Sequence, residues 1–190
     1  MLDLHVHSHW SDGECSPYAL VQDAVQKGLC AIALTDHDTL QGLEELEQAG
    51  KQLGLPVYGG IEISCIQSDG RPLHLLGYAI PESGREAVEE FCRPYRLSRN
   101  RAAMESAKIL QHAGYPVTQE GVLALAGPGG DVCKQYIMQM LMDAGLCTEL
   151  YGPLYRKLFK KQGDGTPGIA ALSFASASPE ETVRCVVAAG

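Results

Sequence analysis

The sequence contains no uninterrupted apolar run of about eighteen residues, so nothing in it reads as a membrane-spanning helix. It also lacks the basic stretch and apolar core of a secretory signal, because Met1 leads straight to Asp3 and His5. There is no C-x-x-C pair. The seven cysteines, Cys15, Cys30, Cys65, Cys92, Cys133, Cys147 and Cys185, are odd in number and widely spaced, which fits free thiols in a reducing cytoplasm. Positive charge is scarce: the formal net charge is −8 and the pI about 5.2, which argues against broad electrostatic binding to duplex nucleic acid. A small anionic substrate remains compatible with that balance, since bound dications reverse the local field. Internal repeats and low-complexity tracts are absent. The expectation is a soluble, cytoplasmic protein of 190 residues whose 45% apolar content can bury a real core.

What is present in the first third is an alternation of short apolar runs with helical patterns, the mark of βα units and an α/β fold. Residues 2–7 read as a first strand. Ser16 then caps a helix that opens on Pro17 and stops at Gly28. Residues 31–35 form an apolar second strand, and the helix after it carries Leu40, Leu43 and Leu46 and ends near Gly54. Residues 57–64 and 73–80 give two more extended segments, joined by the turn Ser68-Asp69-Gly70 as in a hairpin. From about residue 85 to residue 161 the pattern becomes helical, with a long helix over 96–112 and another over 134–144. Ser178-Pro179-Glu180-Glu181 is a capping box, and its helix runs to Gly190. A βα pattern that stops on a helix-terminating glycine normally continues into another strand, so the expectation is the first part of a longer fold. Its sheet is expected to have an open edge and exposed apolar surface.

Four segments carry chemistry. In Asp3-Leu4-His5-Val6-His7-Ser8, positions two apart on a strand share a face, so His5 and His7 present a chelating pair of imidazoles. A chance His-x-His is the simpler reading of that pair alone. Thr35-Asp36-His37-Asp38 follows a buried strand directly, where parallel α/β folds collect active-site groups. Asp38 or Thr39 as a helix cap accounts for one of these residues and leaves Asp36 and His37 unexplained. Glu62, in Gly60-Ile61-Glu62-Ile63-Ser64, taken alone reads equally as a surface glutamate. His74 taken alone is more often a satisfied strand histidine. Together, however, they place His, His, Asp, His, Glu and His at the ends of successive strands, and five of the six histidines precede residue 75. That clustering points to a metal site.

The set Asp-Leu-His-Val-His-Ser with Ser-Asp-Gly, then Leu-Thr-Asp-His-Asp-Thr, Gly-Ile-Glu-Ile-Ser and His-Leu-Leu-Gly resembles the polymerase and histidinol phosphatase (PHP) family over residues 2–80. The helical segment and the closing helix resemble its small bacterial branch, which hydrolyses nucleotide 5′-phosphates and 3′,5′-bisphosphates and includes exonucleases acting on RNA 5′ ends. The resemblance implies the N-terminal part of a distorted (β/α)7 barrel over residues 1–84, a helical insertion over 85–170, and an incomplete return to the barrel over 171–190. It implies two or three divalent ions (Mn, Zn or Fe) held by His5, His7, Asp12, His37, Glu62 and His74, with Asp12, His37 and Glu62 as the catalytic side chains among them. Asp36 and Asp38 would orient the imidazoles from behind, and the reaction would be hydrolysis of a small phosphorylated substrate or a nucleic-acid 5′ end. Arg96, Arg99 and Arg101 are candidates for a second phosphate, with a solvated helix face as the plainer reading.

Family members continue into an Ala-His-Pro and a later Asp-x-His, which this chain does not reach. Where relatives place an Arg and a His after a glycine pair, it has Gly129-Gly130-Asp131, Lys134 and Tyr136. The chain alone is therefore expected to bind metal weakly and hydrolyse slowly. The alternatives are a histidinol-phosphatase-like or polymerase-associated phosphoesterase, or a metal-binding module without activity.

Overall fold

The computed structural model describes residues 1–190 and divides into two compact units. Unit 1 comprises residues 1–96, 127–129 and 176–190, and unit 2 comprises residues 97–126 and 130–175.

Unit 1 is built on a four-stranded sheet, β1 (Leu2–Val6), β2 (Ala31–Leu34), β3 (Val57–Ile66) and β4 (Pro72–Tyr78), in the order β1-β2-β3-β4. The first two pairings are parallel and the hairpin β3–β4 is antiparallel. Alternation along β3 sends Ile61, Ile63 and Cys65 into the apolar core and turns Glu62 to the opposite face. The sheet curls far enough for the Tyr78 hydroxyl on β4 to donate to the Leu4 carbonyl on β1 at 2.7 Å, but no backbone ladder joins these strands. The sheet therefore has two free edges, and Leu2 and Leu4 on β1 are exposed.

Two helices cover the core face. In α1 (Pro17–Gln26), the Ser16 hydroxyl accepts the first-turn N–H of Ala19 at 3.2 Å and Pro17 occupies the first helical position. α2 (Leu43–Leu53) ends on Gly54 at φ 70°, a left-handed cap that glycine adopts without steric cost. The segment before α2 departs from expectation. Leu40 is buried but precedes the helix, and neither Asp38 nor Thr39 caps it, because the helix starts after Gly42 with no side-chain cap. Both side chains are engaged elsewhere, Asp38 with the Ser64 N–H and Thr39 with Glu89.

The long helix also differs. α3 runs from Glu82 to His112 and passes through Pro94, rather than starting at residue 96. Proline removes one backbone donor and disfavours a helix interior, yet the helix continues through it. Residues up to Arg96 belong to unit 1, where Val88 and Cys92 are fully buried. The carboxyl-terminal helix, Pro179–Ala188, starts with the expected capping box, in which Ser178 and Glu181 bond reciprocally. It is tied to β3 through Thr182, whose hydroxyl lies 3.1 Å from Cys65 Sγ.

Unit 2 is helical: the later part of α3, then α4 (Gln119–Leu125), α5 (Lys134–Asp143) and α6 (Pro153–Phe159). At seven residues each, α4 and α6 are too short to show a periodic stripe, and the sequence reading does not contain them. Its core joins Ala107, Leu110, Val122, Ile137, Leu141 and Leu158. None of the helices in the chain is long and apolar enough to cross a membrane.

Leu46 is wholly buried in the core of unit 1, so Leu46→Ala should destabilise the fold by about 2–5 kcal/mol. Val187→Ala, at a position 71% exposed, should change stability by less than about 0.5 kcal/mol. Urea denaturation of both variants checks the pair, and equal effects would contradict this assignment of the core.

Candidate metal centre

The site is assembled by backbone pairing before any side chain is considered. Past the end of β2, the Glu62 N–H donates to the Asp36 carbonyl at 3.1 Å and the Asp38 N–H donates to the Glu62 carbonyl at 2.9 Å. This isolated parallel bridge sets His37 beside Glu62. Asp38 sits at φ 57°, a left-handed conformation that aspartate tolerates better than most residues. Its carboxylate accepts the Ser64 N–H at 2.8 Å and so pins the turn to β3. From the other side, Glu89 on α3 accepts from the Thr39 hydroxyl at 2.8 Å and from the Leu40 N–H, and pairs with Arg96 at 2.9 Å. Arg96 in turn donates to the Asp38 carbonyl at 3.1 Å.

The loop after β1 is held by Asp36. Its carboxylate, buried, accepts from the Ser8 N–H at 2.7 Å and from the hydroxyls of Ser8 and Ser11, each at 2.6 Å. Gly13 completes the turn: a Cβ there would lie 2.3 Å from the His7 carbonyl oxygen, so any larger residue would push the loop open. That fold-back brings Asp12 toward His7.

These constraints place one buried carboxylate among four imidazoles. Glu62 Oε2 lies 2.7 Å from His5 Nε2, 3.0 Å from His7 Nε2 and 3.9 Å from His37 Nε2, while Glu62 Oε1 lies 2.5 Å from His74 Nδ1. Asp12 stands between two of the rings, with Oδ1 3.3 Å from His7 Nδ1 and Oδ2 3.8 Å from His37 Nε2. The rings follow one another at centroid distances of 5.1, 4.7 and 5.0 Å from His5 through His7 and His37 to His74. Three overlapping groups could each hold an ion: His5, His7 and Glu62; His7, Asp12 and His37; and His37, Glu62 and His74.

Residues 3–127 match the family model of the PHP domain. The chain belongs to the PHP family. A phosphoribosyl 1,2-cyclic phosphate 1,2-diphosphodiesterase of Eggerthella lenta is 36% identical over 162 residues, covering 85% of this chain and 62% of that protein. A 5′-3′ exoribonuclease of Haemophilus influenzae is 34% identical, covering 75% of this chain and 51% of its own length. Among solved structures, a protein of Bifidobacterium adolescentis described as a metal-dependent phosphoesterase superposes with a TM-score of 0.86 at 26% identity, over all of this chain and 64% of that one. The chain thus spans between about half and two thirds of the length of these proteins.

The electrostatics of this PHP cluster match those of a cation site. Burial works against charge on His7, yet Asp12 and Glu62 outweigh it and raise the ring to about 9. Burial alone would raise Glu62, but the surrounding imidazoles, His7 and His74 foremost, hold it well below the usual carboxylate range. His37 is lowered, because burial exceeds the pull of Asp12 and Glu62. His7 Nδ1 comes within ion-pair distance of Asp12 but without hydrogen-bond alignment, and His37 Nδ1 is buried with no hydrogen-bond partner. A buried nitrogen left unsatisfied beside a carboxylate, as His7 Nδ1 is, is costly as it stands and is what coordination would satisfy. The donor set of imidazoles and carboxylates therefore fits divalent metal.

All six expected ligands, His5, His7, Asp12, His37, Glu62 and His74, lie in this one cluster. The expectations for the residues around it need correction. Asp36 holds the Ser8–Ser11 loop through one N–H and two hydroxyls, and the Asp38 carboxylate holds β3 through the Ser64 N–H. Arg96, expected to hold a phosphate, is mostly buried and bonded to Glu89 and the Asp38 carbonyl. Arg99 and Arg101 belong to unit 2. The sequence reading missed Ser8, Ser11 and Glu89. Two small hydroxyls three apart, just after a chelating pair, were the available signal for the serines, whereas nothing local marks Glu89.

Because His7 carries a proton up to about pH 9 in the metal-free chain, a metal that uses this ring must displace that proton. Manganese or zinc affinity should therefore rise with pH from 6.5 toward 9 and then level off. Calorimetry at pH 7 in buffers of different ionisation enthalpy should show about one proton released through His7. His7→Ala should lose that release, and binding without proton release in the native chain would contradict the assigned state of His7.

Proposed function

We propose that the cluster in unit 1 is the hydrolytic centre of a phosphoesterase that acts on nucleotide phosphates or nucleic-acid 5′ ends. It would use two or three divalent ions, of manganese, zinc or iron. The observation that carries this reading is Glu62, whose two carboxylate oxygens face different imidazoles from strands β1 and β4 and from the end of β2. A carboxylate so placed suits a bridging position between two ion sites. We assign His5, His7 and Glu62 to one site, with Glu62 shared with another, Asp12 and His37 to a second, and His74 to a third. Residues 1–84 and 171–190 are read as barrel and residues 85–170 as an insertion.

Divalent ions in such a centre supply Lewis acidity toward phosphoryl oxygens and acidify water. The side chains contribute the rest. Glu62 stays ionised throughout the neutral range, because the imidazoles around it hold its carboxyl low. Asp12, fixed by the Gly13 turn, balances positive charge between His7 and His37. The network of Asp36, Asp38, Glu89 and Arg96 keeps the ligand-bearing loops in register, which preorganises the site. The relatives support the choice of substrate class, as they are named for cleaving phosphate esters of ribose and RNA.

Phosphate release from adenosine 3′,5′-bisphosphate and from a short 5′-phosphorylated RNA, with manganese present, tests the proposal. Release should stop in chelator and fall on the order of 100-fold or more in His7→Ala and Glu62→Ala, since changes merely outside a ligand shell already cost 10–100-fold. Hydrolysis that persists in chelator, or survives both substitutions, would overturn it. Metal binding with no hydrolysis of either substrate would favour a binding module instead.

A further inference from the structure

Unit 2 contains a surface pocket of about 660 Å³ whose lining includes Tyr151, Tyr155, Arg156, Lys160, Lys161 and Gln162. Its walls are unlike the rest of a chain with net charge −8, for no acidic residue lines it. The nearest acidic groups in sequence are Glu149, set against Gly152, and Asp164, whose carboxylate accepts from the N–H and hydroxyl of Thr166. None of Arg156, Lys160 and Lys161 forms a salt bridge, whereas most other pairs in the chain tie a cation to an acid nearby in sequence. Arg156 is explained in part as a cation in the last turn of α6. Lys160 and Lys161 lie at and beyond the helix end, and a helix dipole does not require both.

The aromatic wall is preorganised. Tyr151 and Tyr155 pack edge to face at 5.1 Å, Tyr155 touches Phe159 at 5.3 Å, and Lys160 Nζ stands 5.7 Å from the centre of the Tyr155 ring. Gln162 fixes the basic turn, because its side-chain amide donates to the carbonyls of Arg156, Lys157 and Lys160 at 3.1, 3.3 and 2.8 Å. The Arg156 guanidinium donates to the Tyr151 carbonyl at 3.3 Å, which keeps that exposed ring at the rim. Cations without an acidic partner beside an exposed tyrosine recognise a ligand that is both anionic and flat. Duplexes hide their base faces, so a single strand is the better fit.

We propose that this pocket is a docking site for single-stranded nucleic acid, with a base on the tyrosine rim and its flanking phosphates on Lys160 and Lys161. That the strand is also the substrate rests on the phosphoesterase reading of unit 1. Binding by unit 2 does not. Fluorescence anisotropy of the 190-residue chain with a labelled eight-nucleotide RNA, over a salt series, measures it directly. The double variant Lys160→Glu, Lys161→Glu should weaken binding at least tenfold. It should also flatten the slope of log K against log salt by about 1.4, or about 0.7 for each phosphate no longer neutralised by a lysine. Tyr151→Ala should weaken binding about tenfold and Tyr151→Phe should restore it, because stacking needs the ring and not the hydroxyl. Both lysines and Tyr151 are exposed, so circular dichroism should show an intact fold in every variant. Titrations run in chelator read binding with hydrolysis stopped, so that loss of hydrolysis and loss of binding are read separately. The proposal is overturned if the strand does not bind at 50 mM salt, if charge reversal leaves affinity unchanged, or if adenosine 5′-monophosphate binds as tightly as the RNA.

Discussion

A single buried carboxylate sets the terms for unit 1. Glu62 is 4% exposed and faces four imidazoles, an arrangement that would leave it an isolated buried anion if the loops carrying those rings moved away. The surrounding structure prevents this. The isolated bridge between His37 and Glu62, the Asp36 clasp on the Ser8 and Ser11 hydroxyls, and the Glu89–Arg96 pair beneath Asp38 each fix one loop. The geometry of the cluster thus depends on residues outside the six side chains that form it. The apolar residues of β3 serve the same end, since Ile61 and Ile63 anchor the strand that presents Glu62.

The clustered side chains were legible because their signals are local and periodic. His5 and His7 share a strand face, His37 follows an all-apolar strand, and Glu62 alternates with Ile61 and Ile63. Each pattern survives in the sequence without knowledge of tertiary structure. The supporting residues were harder to read. Asp38 has the appearance of a helix cap, yet its carboxylate reaches Ser64, 26 residues away. Arg96 has the appearance of a free cation, but its partner Glu89 and the Asp38 carbonyl, 58 residues distant, claim it. The helix expected over 96–112 starts at Glu82 and passes through Pro94, its first part packed through Val88 and Cys92. α4 and α6 went unseen, since two turns cannot display an amphipathic stripe.

The two units divide the chemistry by charge. Unit 1 concentrates carboxylates and imidazoles, a set that repels anions until cations fill it and attracts phosphate afterwards. The basic pocket of unit 2 needs no cofactor to attract an anion. Ordinary composition conceals this difference, because 15 basic and 23 acidic residues average to a mildly acidic chain. Specificity between a small phosphorylated ligand and a strand would then depend on groups outside the proposed hydrolytic centre, which the PHP motifs do not encode.

That the Glu62 cluster is a metal site is tested most directly by anomalous diffraction from crystals grown with manganese. At least one anomalous peak is predicted within about 2.0–2.3 Å of Glu62 and of a nitrogen of His5, His7 or His74. Crystals of Glu62→Ala should lose that peak. A cluster with no anomalous signal, or manganese bound only at surface carboxylates elsewhere, would contradict the metal-site assignment.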